Sequence, residues 1–227
     1  MKPKDACVII PGYNEAKNIA RVVLAVKKLG FSVLVVDDGS TDDMVSLARQ
    51  SGADVVSYTP NQGKGAAIRR GIHWLLQKTS YQAAIFMDSD GQHDTADLPG
   101  FLKALEDPGV DVVVGNRMSD PKGMPPIRRL TNSFMSAILS AAAGQRVPDT
   151  QCGYRAVRRQ ALSRMSLQTT RFEIESEMIL EAARTGARIS SIPVRSVYEG
   201  GSSHIRPGRD TVRFFSFLFS YLSRRRA

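Results

Sequence analysis

The sequence predicts an α/β fold with a mostly parallel central sheet flanked by helices and a C-terminal helical elaboration. In the first half of the chain, short β-branched runs alternate with helical stretches, and this spacing favours right-handed βαβ units. Runs such as Val33–Val36 are apolar at every position, as expected of parallel strands that are covered on both faces. After Arg117 the rhythm changes, and a proline-rich loop precedes a long helical stretch.

The individual elements follow from where these patterns begin and end. The predicted strands are Ala6–Pro11, Ser32–Asp37, Asp54–Tyr58, Ala83–Asp88, Val110–Gly115, Gly153–Val157 and Ala187–Val197. The predicted helices are Glu15–Leu29, Thr41–Gln50, Gly65–Lys78, Ala96–Glu106, Arg128–Gly144, Glu173–Thr185 and Asp210–Arg226. No repeat or convincing linker interrupts the 227 residues, so we expect a single domain that ends in an aromatic, amphipathic helix over residues 206–227.

The composition excludes several classes of protein. Hydrophobic residues make up 42% and charged residues 23% of the chain, which are globular values and argue against disorder. No apolar run approaches the roughly 20 residues of a transmembrane helix, and residues 1–5 lack the apolar core of a signal peptide. Two cysteines, Cys7 and Cys152, are too few for a disulfide framework and favour the reducing cytoplasm. The net charge of +9 indicates an anionic partner: a nucleotide, phospholipid, sugar phosphate or nucleic acid.

Polar residues follow four of the predicted strands at their carboxyl ends. Any one of these clusters is also ordinary turn or helix-capping chemistry. In an open α/β sheet, however, ligands bind outside this edge, so four clusters there indicate one shared site. The clusters are Pro11-Gly12-Tyr13-Asn14-Glu15, Asp37-Asp38-Gly39-Ser40, Asp88-Ser89-Asp90-Gly91-Gln92-His93 and Gly115-Asn116-Arg117.

The sharpest chemical signal is Asp88-Ser89-Asp90. Two carboxylates one residue apart, with the amide oxygen of Gln92 nearby, offer the hard oxygen ligands that Mg²⁺ or Mn²⁺ prefers. An Asp-x-Asp element is weak evidence by itself, but this one follows an apolar run at residues 84–87, which places it at the ligand edge. A site of this kind leaves coordination positions for water and a substrate diphosphate.

Together these residues resemble the family 2 glycosyltransferases, which have the nucleotide-diphosphosugar transferase (GT-A) fold. The matching segments are residues 11–15, 36–42 and 61–65, the Asp88-Ser89-Asp90 element and residues 115–117, in the expected order. Further on, Asp149–Arg155 and Phe172–Glu175 look like the polyprenyl-phosphate branch, which includes dolichyl-phosphate mannose and glucose synthases.

The resemblance implies that residues 1–120 form a nucleotide-sugar-binding half and residues 121–205 an acceptor-side half. The residues that would contact a GDP- or UDP-sugar are Pro11, Tyr13, Glu15, Asp38, Lys64, Asp88, Ser89 and Asp90, the first four of them next to the base and ribose. The metal ligands for Mg²⁺ or Mn²⁺ on the diphosphate would be Asp88, Asp90 and Gln92. The metal would neutralise charge on the departing nucleoside diphosphate.

On the acceptor side, Arg117 and Arg128 match positions that hold the phosphate of a polyprenyl phosphate, and His204 and Arg206 are further candidates. A phosphate monoester needs guanidinium partners and is already nucleophilic at pH 7, so no strong general base is required. Direct displacement would invert the anomeric centre. Catalysis would depend on Asp90, Arg117 and Arg128. The protein would lie peripherally on the cytoplasmic face of the membrane, with homo-oligomer formation left open and no nucleic acid bound beyond the nucleotide.

Two other functions stay open at this stage. The same donor chemistry could serve a soluble sugar or another hydroxyl acceptor in cell-envelope polysaccharide synthesis, with Asp149 as general base and Arg128 dispensable. A non-enzymatic binder of nucleic acid or anionic surfaces would use the positive charge but leaves the strand-end carboxylates unexplained. A phosphate-binding loop at Lys64 is rejected because Lys-Ser/Thr spacing is missing, and no G-x-G-x-x-G follows the first strand.

Overall fold

The computed structural model describes residues 1–121, 123–195 and 207–224, and the side chains of all of these except residues 207–213, 222 and 224. The strands are β1 (Ala6–Gly12), β2 (Ser32–Asp37), β3 (Asp54–Ser57), β4 (Ala83–Phe86), β5 (Val112–Asn116), β6 (Arg155–Arg158) and β7 (Ile189–Pro193). The helices are α1 (Ala16–Lys28), α2 (Met44–Gln50), α3 (Lys64–Lys78), α4 (Leu98–Ala104), α5 (Pro126–Ala143), α6 (Arg159–Arg164), α7 (Ile174–Arg184) and α8 (Pro207–Arg224).

The described strands form one sheet in the order β3-β2-β1-β4-β6-β5-β7. All neighbouring pairs are parallel except those that involve β6, which runs antiparallel to both β4 and β5. The predicted α/β fold with a mostly parallel sheet is therefore confirmed. Because β6 runs the other way, its first residue, Arg155, lies beside Phe86, the last residue of β4. The loop that enters β6 thus reaches the same edge as the carboxyl ends of the parallel strands.

The two central strands β1 and β4 are buried at every residue, in agreement with their nearly continuous apolar sequences. Every residue of β1 is buried, as expected of a central strand covered on both faces. The helix α1 covers this sheet with Ile19, Val22, Val23 and Val26, whose spacing places them on one helical face. Burying each such side chain contributes about 1.5–3 kcal/mol. The basic residues of α1 at positions 27 and 28 lie in its last turn, where cations interact favourably with the helix dipole.

Most element boundaries agree with the prediction to within a few residues, and the differences have local causes. Helix α5 begins at Pro126, two residues before the predicted start, because proline is well suited to the first position of a helix. The strand predicted over Ala187–Val197 is shorter within the described residues, since β7 covers only Ile189–Pro193. Residues 196 and 197 lie outside the described part of the chain. The short helix α6 was not predicted.

The chain divides into two compact units, Met1–Val197 and Tyr198–Ala227. The second unit contains α8, which the sequence predicted as a helix over Asp210–Arg226 and which the structure places at Pro207–Arg224. Within α8, Phe215 and Phe219 lie four residues apart on one helical face, and both are exposed. None of the described helices combines the length and the apolar character needed to cross a membrane.

Candidate active site

Two loops at the carboxyl edge of the sheet, after β1 and after β2, are bound to each other. The backbone N–H of Asn14 donates to Ser40 Oγ at 2.9 Å, and the N–H of Thr41 donates to Asn14 Oδ1 at 2.8 Å. Asn14 has φ 56°, a left-handed conformation that asparagine tolerates better than most residues. Beside it, the ring of Tyr13 is 47% exposed. The two loops therefore form a fixed rim that carries an accessible aromatic ring.

The other residues predicted for the base and ribose pocket differ in accessibility. Pro11 is buried in β1, and Glu15 accepts a hydrogen bond from Asn18 Nδ2 at 2.9 Å. Asp38 is buried, and its two oxygens accept from the backbone N–H groups of Gln62 and Gly63 at 2.8 and 2.7 Å. In the structure Asp38 therefore holds the loop before α3 in place, and its contact with a nucleotide stays a prediction.

Lys64, the first residue of α3, lies between two carboxylates. Its Nζ is 2.6 Å from Asp88 Oδ1 and 2.7 Å from Glu175 Oε1. On the other oxygen of Asp88, His93 Nε2 lies at 3.3 Å. Gly153 completes the arrangement, because a Cβ at this position would lie 3.0 Å from Asp88 Oδ2 and 3.1 Å from Lys64 Nζ. Only glycine lets the loop before β6 approach the ion pair so closely.

These contacts fix the charge states of Lys64 and Asp88. Burial opposes ionisation of both groups, but each compensates the other. The Lys64 ammonium, with His93 beside it, holds the pKa of Asp88 well below its usual range. The carboxylates of Asp88 and Glu175 in turn raise the pKa of Lys64 in spite of its burial. At neutral pH Lys64 and Asp88 are therefore both charged.

The predicted metal ligands differ in how far they are already engaged by other residues. Asp88 is already engaged by Lys64, whereas Asp90 is partly exposed and uses one oxygen, Oδ1, to accept from the N–H of Gln92 at 2.9 Å. Among the described residues, no three carboxylate, imidazole or thiolate groups cluster tightly enough to hold an ion by themselves. This fits Mg²⁺ or Mn²⁺ bound through one or two carboxylates together with substrate phosphate oxygens. Asp90 offers one such carboxylate, and Asp88 can be a second only if it gives up its contact with Lys64. Gln92 contacts Asp90 through its backbone N–H, and a metal contact of its side chain stays a prediction.

The loop before β6 is held by Arg155, whose side chain is almost completely buried. Its guanidinium donates to the carbonyl oxygens of Cys152 at 2.7 Å and Thr150 at 2.6 Å, and also to the carbonyl oxygen of Glu175. A buried guanidinium is costly unless such acceptors surround it. Burial correspondingly lowers the pKa of Arg155. This residue therefore ties the loop to the start of α7 next to Lys64.

Arg117, at the end of β5, is paired with Asp149. Its Nε and Nη2 donate to the two carboxylate oxygens at 2.8 and 2.9 Å, and its backbone N–H donates to the same carboxylate at 3.1 Å. Asp149 is fully buried and Arg117 is 9% exposed. The structure therefore does not place Asp149 as a base for an acceptor hydroxyl. Contact of Arg117 with an acceptor phosphate stays a prediction, and the pairing shows that this guanidinium is held in a fixed orientation.

Of the other predicted acceptor residues, only Arg128 lies in the described part of the chain. Arg128 lies in the first turn of α5, is partly exposed, and makes no hydrogen bond or ion pair with the described residues. His204 and Arg206 lie outside the described part of the chain.

Comparison with known proteins identifies the class to which this fold and site belong. The profile of glycosyl transferase family 2 matches residues 7–166, and the chain belongs to this family. The protein is accordingly a sugar transferase enzyme, as predicted. It is 32% identical over 202 residues to the polyprenol monophosphomannose synthase of Mycolicibacterium smegmatis, covering 82% of this chain and 75% of the relative.

A second relative is the UDP-N-acetylglucosamine–dolichyl-phosphate N-acetylglucosaminyltransferase of Methanococcus voltae, 28% identical over 225 residues, with 87% of this chain and 88% of the relative covered. Both relatives confirm the predicted polyprenyl-phosphate branch of the family. Among solved structures, glucosyl-3-phosphoglycerate synthase from Mycobacterium tuberculosis in complex with Mg²⁺ and UDP matches with a TM-score of 0.71 and 22% identity, covering 95% of this chain and 78% of that one. This similarity confirms the GT-A fold.

The part of the site that comes from α7 and from the loop before β6 was not predicted from the sequence. Glu175 belongs to a segment that resembled the family, but favourable placement near a helix N-terminus explained it equally well. Gly153 has no side chain to attract notice. The available signal was that Asp149–Arg155 and Phe172–Glu175 both resemble the polyprenyl-phosphate branch, but the sequence does not indicate that either segment lies beside Lys64.

Proposed function

We propose that the protein is a metal-dependent, inverting glycosyltransferase that moves a sugar from a GDP- or UDP-sugar to a polyprenyl phosphate at the cytoplasmic face of the membrane. The observation that carries the proposal is the carboxylate edge formed by Asp88 and Asp90 next to the Lys64 ammonium, at the carboxyl ends of the parallel strands. Nucleotide ligands of open α/β sheets bind at this edge. The two named relatives support a lipid-phosphate acceptor.

On the donor side, the diphosphate would lie near Asp90, with the cations of Lys64 and Arg21 beside the same loop. A divalent ion bound there would neutralise the negative charge that grows on the departing nucleoside diphosphate. The rim of the β1–α1 and β2–α2 loops, with the exposed ring of Tyr13, would lie against the base and ribose. A solved structure of the same fold contains Mg²⁺ and UDP together, which supports a divalent ion and a nucleotide as ligands of this fold.

On the acceptor side, Arg128 would bind the phosphate of the polyprenyl phosphate. Arg117 would be a second contact, with its guanidinium oriented by Asp149. At pH 7 a phosphate monoester carries about −1.5 to −2 charges, so its oxygen attacks without a protein base. The guanidinium groups would orient this oxygen and reduce its repulsion from the donor diphosphate. Attack from the face opposite the leaving group would invert the anomeric centre.

The direct test is transfer of radiolabelled sugar into an organic-extractable product. Purified protein would be incubated with Mn²⁺, a short-chain polyprenyl phosphate and each of a panel of GDP- and UDP-sugars. The proposal expects one donor to give a product with inverted anomeric configuration, determined by NMR coupling constants. Transfer to a soluble sugar but not to the lipid phosphate would contradict the acceptor assignment.

Arg128→Ala is expected to lower kcat/KM for the polyprenyl phosphate by about ten- to a hundredfold, because one charge-assisted hydrogen bond contributes roughly 1.5–3 kcal/mol. Donor binding, measured by calorimetry with Mn²⁺ and the nucleotide, should be unchanged. Arg49→Ala, at an exposed arginine of α2, is the matched control and should have little effect. Intact lipid transfer in Arg128→Ala would move the role elsewhere, with Arg206 or His204 next in line.

The membrane part of the proposal is supported by an exposed apolar stripe on α5, formed by Ile127, Leu130 and Phe134. These side chains are 66%, 68% and 57% exposed, and their spacing places them on one helical face. The basic residues 128 and 129 accompany the stripe, as expected of a helix that lies in an anionic membrane interface.

Leu130→Ser combined with Phe134→Ser should reduce binding to vesicles that contain anionic lipid by at least about tenfold, because each buried side chain of this size contributes roughly 1.5–3 kcal/mol. Flotation with phosphatidylglycerol vesicles measures the change. Leu24→Ser, at an exposed leucine of α1, serves as the control and should float like wild type. Phe215→Ser combined with Phe219→Ser tests α8 in the same way. If none of these variants reduces flotation, membrane docking through α5 and α8 is wrong.

A further inference from the structure

Lys64 is a single cation shared by two carboxylates from different parts of the chain. Asp88 follows β4, and Glu175 lies in the first turn of α7. Both oxygens are within 2.7 Å of Nζ, so neither contact is incidental. The guanidinium of Arg21 lies against Gly91, so the loop that follows β4 has a second cation beside it. Glu175 supplies Lys64 with a carboxylate from outside this loop.

Glu175 is built into this position at a cost. It is only 8% exposed, and its Oε2 has no hydrogen-bond partner among the described residues. A buried carboxylate oxygen without a partner is unfavourable, and such exceptions need an explanation. The backbone of Glu175 is held in place as well, because the buried Arg155 guanidinium donates to its carbonyl oxygen.

The segment that precedes Glu175 is also fixed against α3. Glu177 accepts the backbone N–H groups of Gln168 and Thr169, each at 2.9 Å. The N–H of Ala66 donates to the carbonyl oxygen of Thr170 at 3.1 Å, and Gly65 leaves no room for a Cβ against this segment. Glu175 and Lys64 therefore approach each other on two elements that are packed together, and their contact does not rest on side-chain flexibility alone.

We propose that Glu175 is a positioning residue of the donor site. It anchors the Lys64 ammonium, so that Lys64 can pass from Asp88 to the donor diphosphate without leaving the site. With Asp88 as its only partner, Lys64 would form a neutral pair that the incoming ligand has to break completely. With Glu175 present, Asp88 is released while Lys64 keeps one carboxylate. The inference rests on the proposed function, because it assumes that a nucleoside diphosphate binds here.

The test compares Glu175→Gln with Glu181→Gln, a matched change two turns further along the same buried helix. Glu181 binds the N–H of Ser166 and the guanidinium of Arg184, away from Lys64. Binding of UDP and of GDP, each with Mn²⁺, would be measured by calorimetry, and stability by thermal unfolding. Glu175→Gln should weaken nucleotide binding by about ten- to a hundredfold, the range expected for a charge-assisted contact. Glu181→Gln should lower the melting temperature without weakening binding more than about twofold, since it only supports the fold.

A double-mutant cycle with Lys64→Met separates positioning from a general structural effect. If Glu175 acts through Lys64, Glu175→Gln should have no further effect on nucleotide binding in the Lys64→Met background. Equal weakening in both backgrounds, unchanged binding in Glu175→Gln, or equal weakening by Glu181→Gln would overturn the inference. Wild-type protein that binds neither nucleotide with Mn²⁺ would overturn the proposed function and this inference with it.

Discussion

Asp90→Asn is expected to reduce kcat/KM for the nucleotide-sugar donor by about 10²–10³-fold, the loss typical of removing one preorganised electrostatic group. Asp90 is the carboxylate of the site that is partly exposed and not paired with Lys64, so the proposed divalent ion depends most on it. Its Oδ1 accepts from a backbone N–H, and the asparagine oxygen can keep this bond. The fold should therefore be preserved while Mn²⁺-dependent nucleotide binding is lost, which calorimetry with and without EDTA would measure.

Asp94→Asn is the control for charge alone. Asp94 lies in the same loop, and its Oδ1 likewise accepts a backbone N–H, from Ala96, at 2.9 Å. We expect this variant to keep nearly full activity, because the Asp94 carboxylate caps a short helical turn and does not belong to the proposed metal site. If Asp90→Asn binds nucleotide as well as wild type, or if EDTA leaves wild-type binding unchanged, the metal assignment is wrong.

Asp149→Ala should lower the free energy of unfolding by about 3–5 kcal/mol. The substitution removes one partner of a buried ion pair, in which Asp149 is fully buried and Arg117 is 9% exposed. Such a loss is a large fraction of the stability of a domain of this size. Urea unfolding followed by circular dichroism measures it, with the denaturant slope compared between variants to exclude a change in the unfolded state.

The double variant Arg117→Met and Asp149→Leu separates the effect of the ion pair on stability from the effect of the Arg117 guanidinium on sugar transfer. Replacing both members of the buried pair by apolar side chains should restore most of the stability, while lipid transfer stays low because the guanidinium is missing. A stable Asp149→Ala that loses transfer only to hydroxyl acceptors would instead restore the general-base hypothesis and the soluble acceptor.

The sequence determined the strand positions and the location of the ligand edge. Apolar runs such as Val33–Val36 must be buried on both faces, and this requirement follows from the residues themselves. The polar residues that follow parallel strands lie at the same edge of the sheet because of its topology. The pairing of Lys64 with Asp88 lies at this edge, where the sequence motifs and the family resemblance had predicted a site. The amphipathic spacing of α1 likewise needed no tertiary information.

Only the tertiary structure decided the partners of these residues. The antiparallel direction of β6 brings Gly153 and Arg155 to the ligand edge. The four residues of β6 do not indicate from their sequence whether the strand runs parallel or antiparallel to its neighbours. The contact of Glu175 with Lys64 joins positions more than a hundred residues apart. Likewise, Asp149 is a partner of Arg117 rather than a free base. Local sequence indicates which residues are buried and whether a segment is a helix or a strand. The pairing of charged side chains depends on long-range packing, because electrostatic interactions act through space and not along the chain.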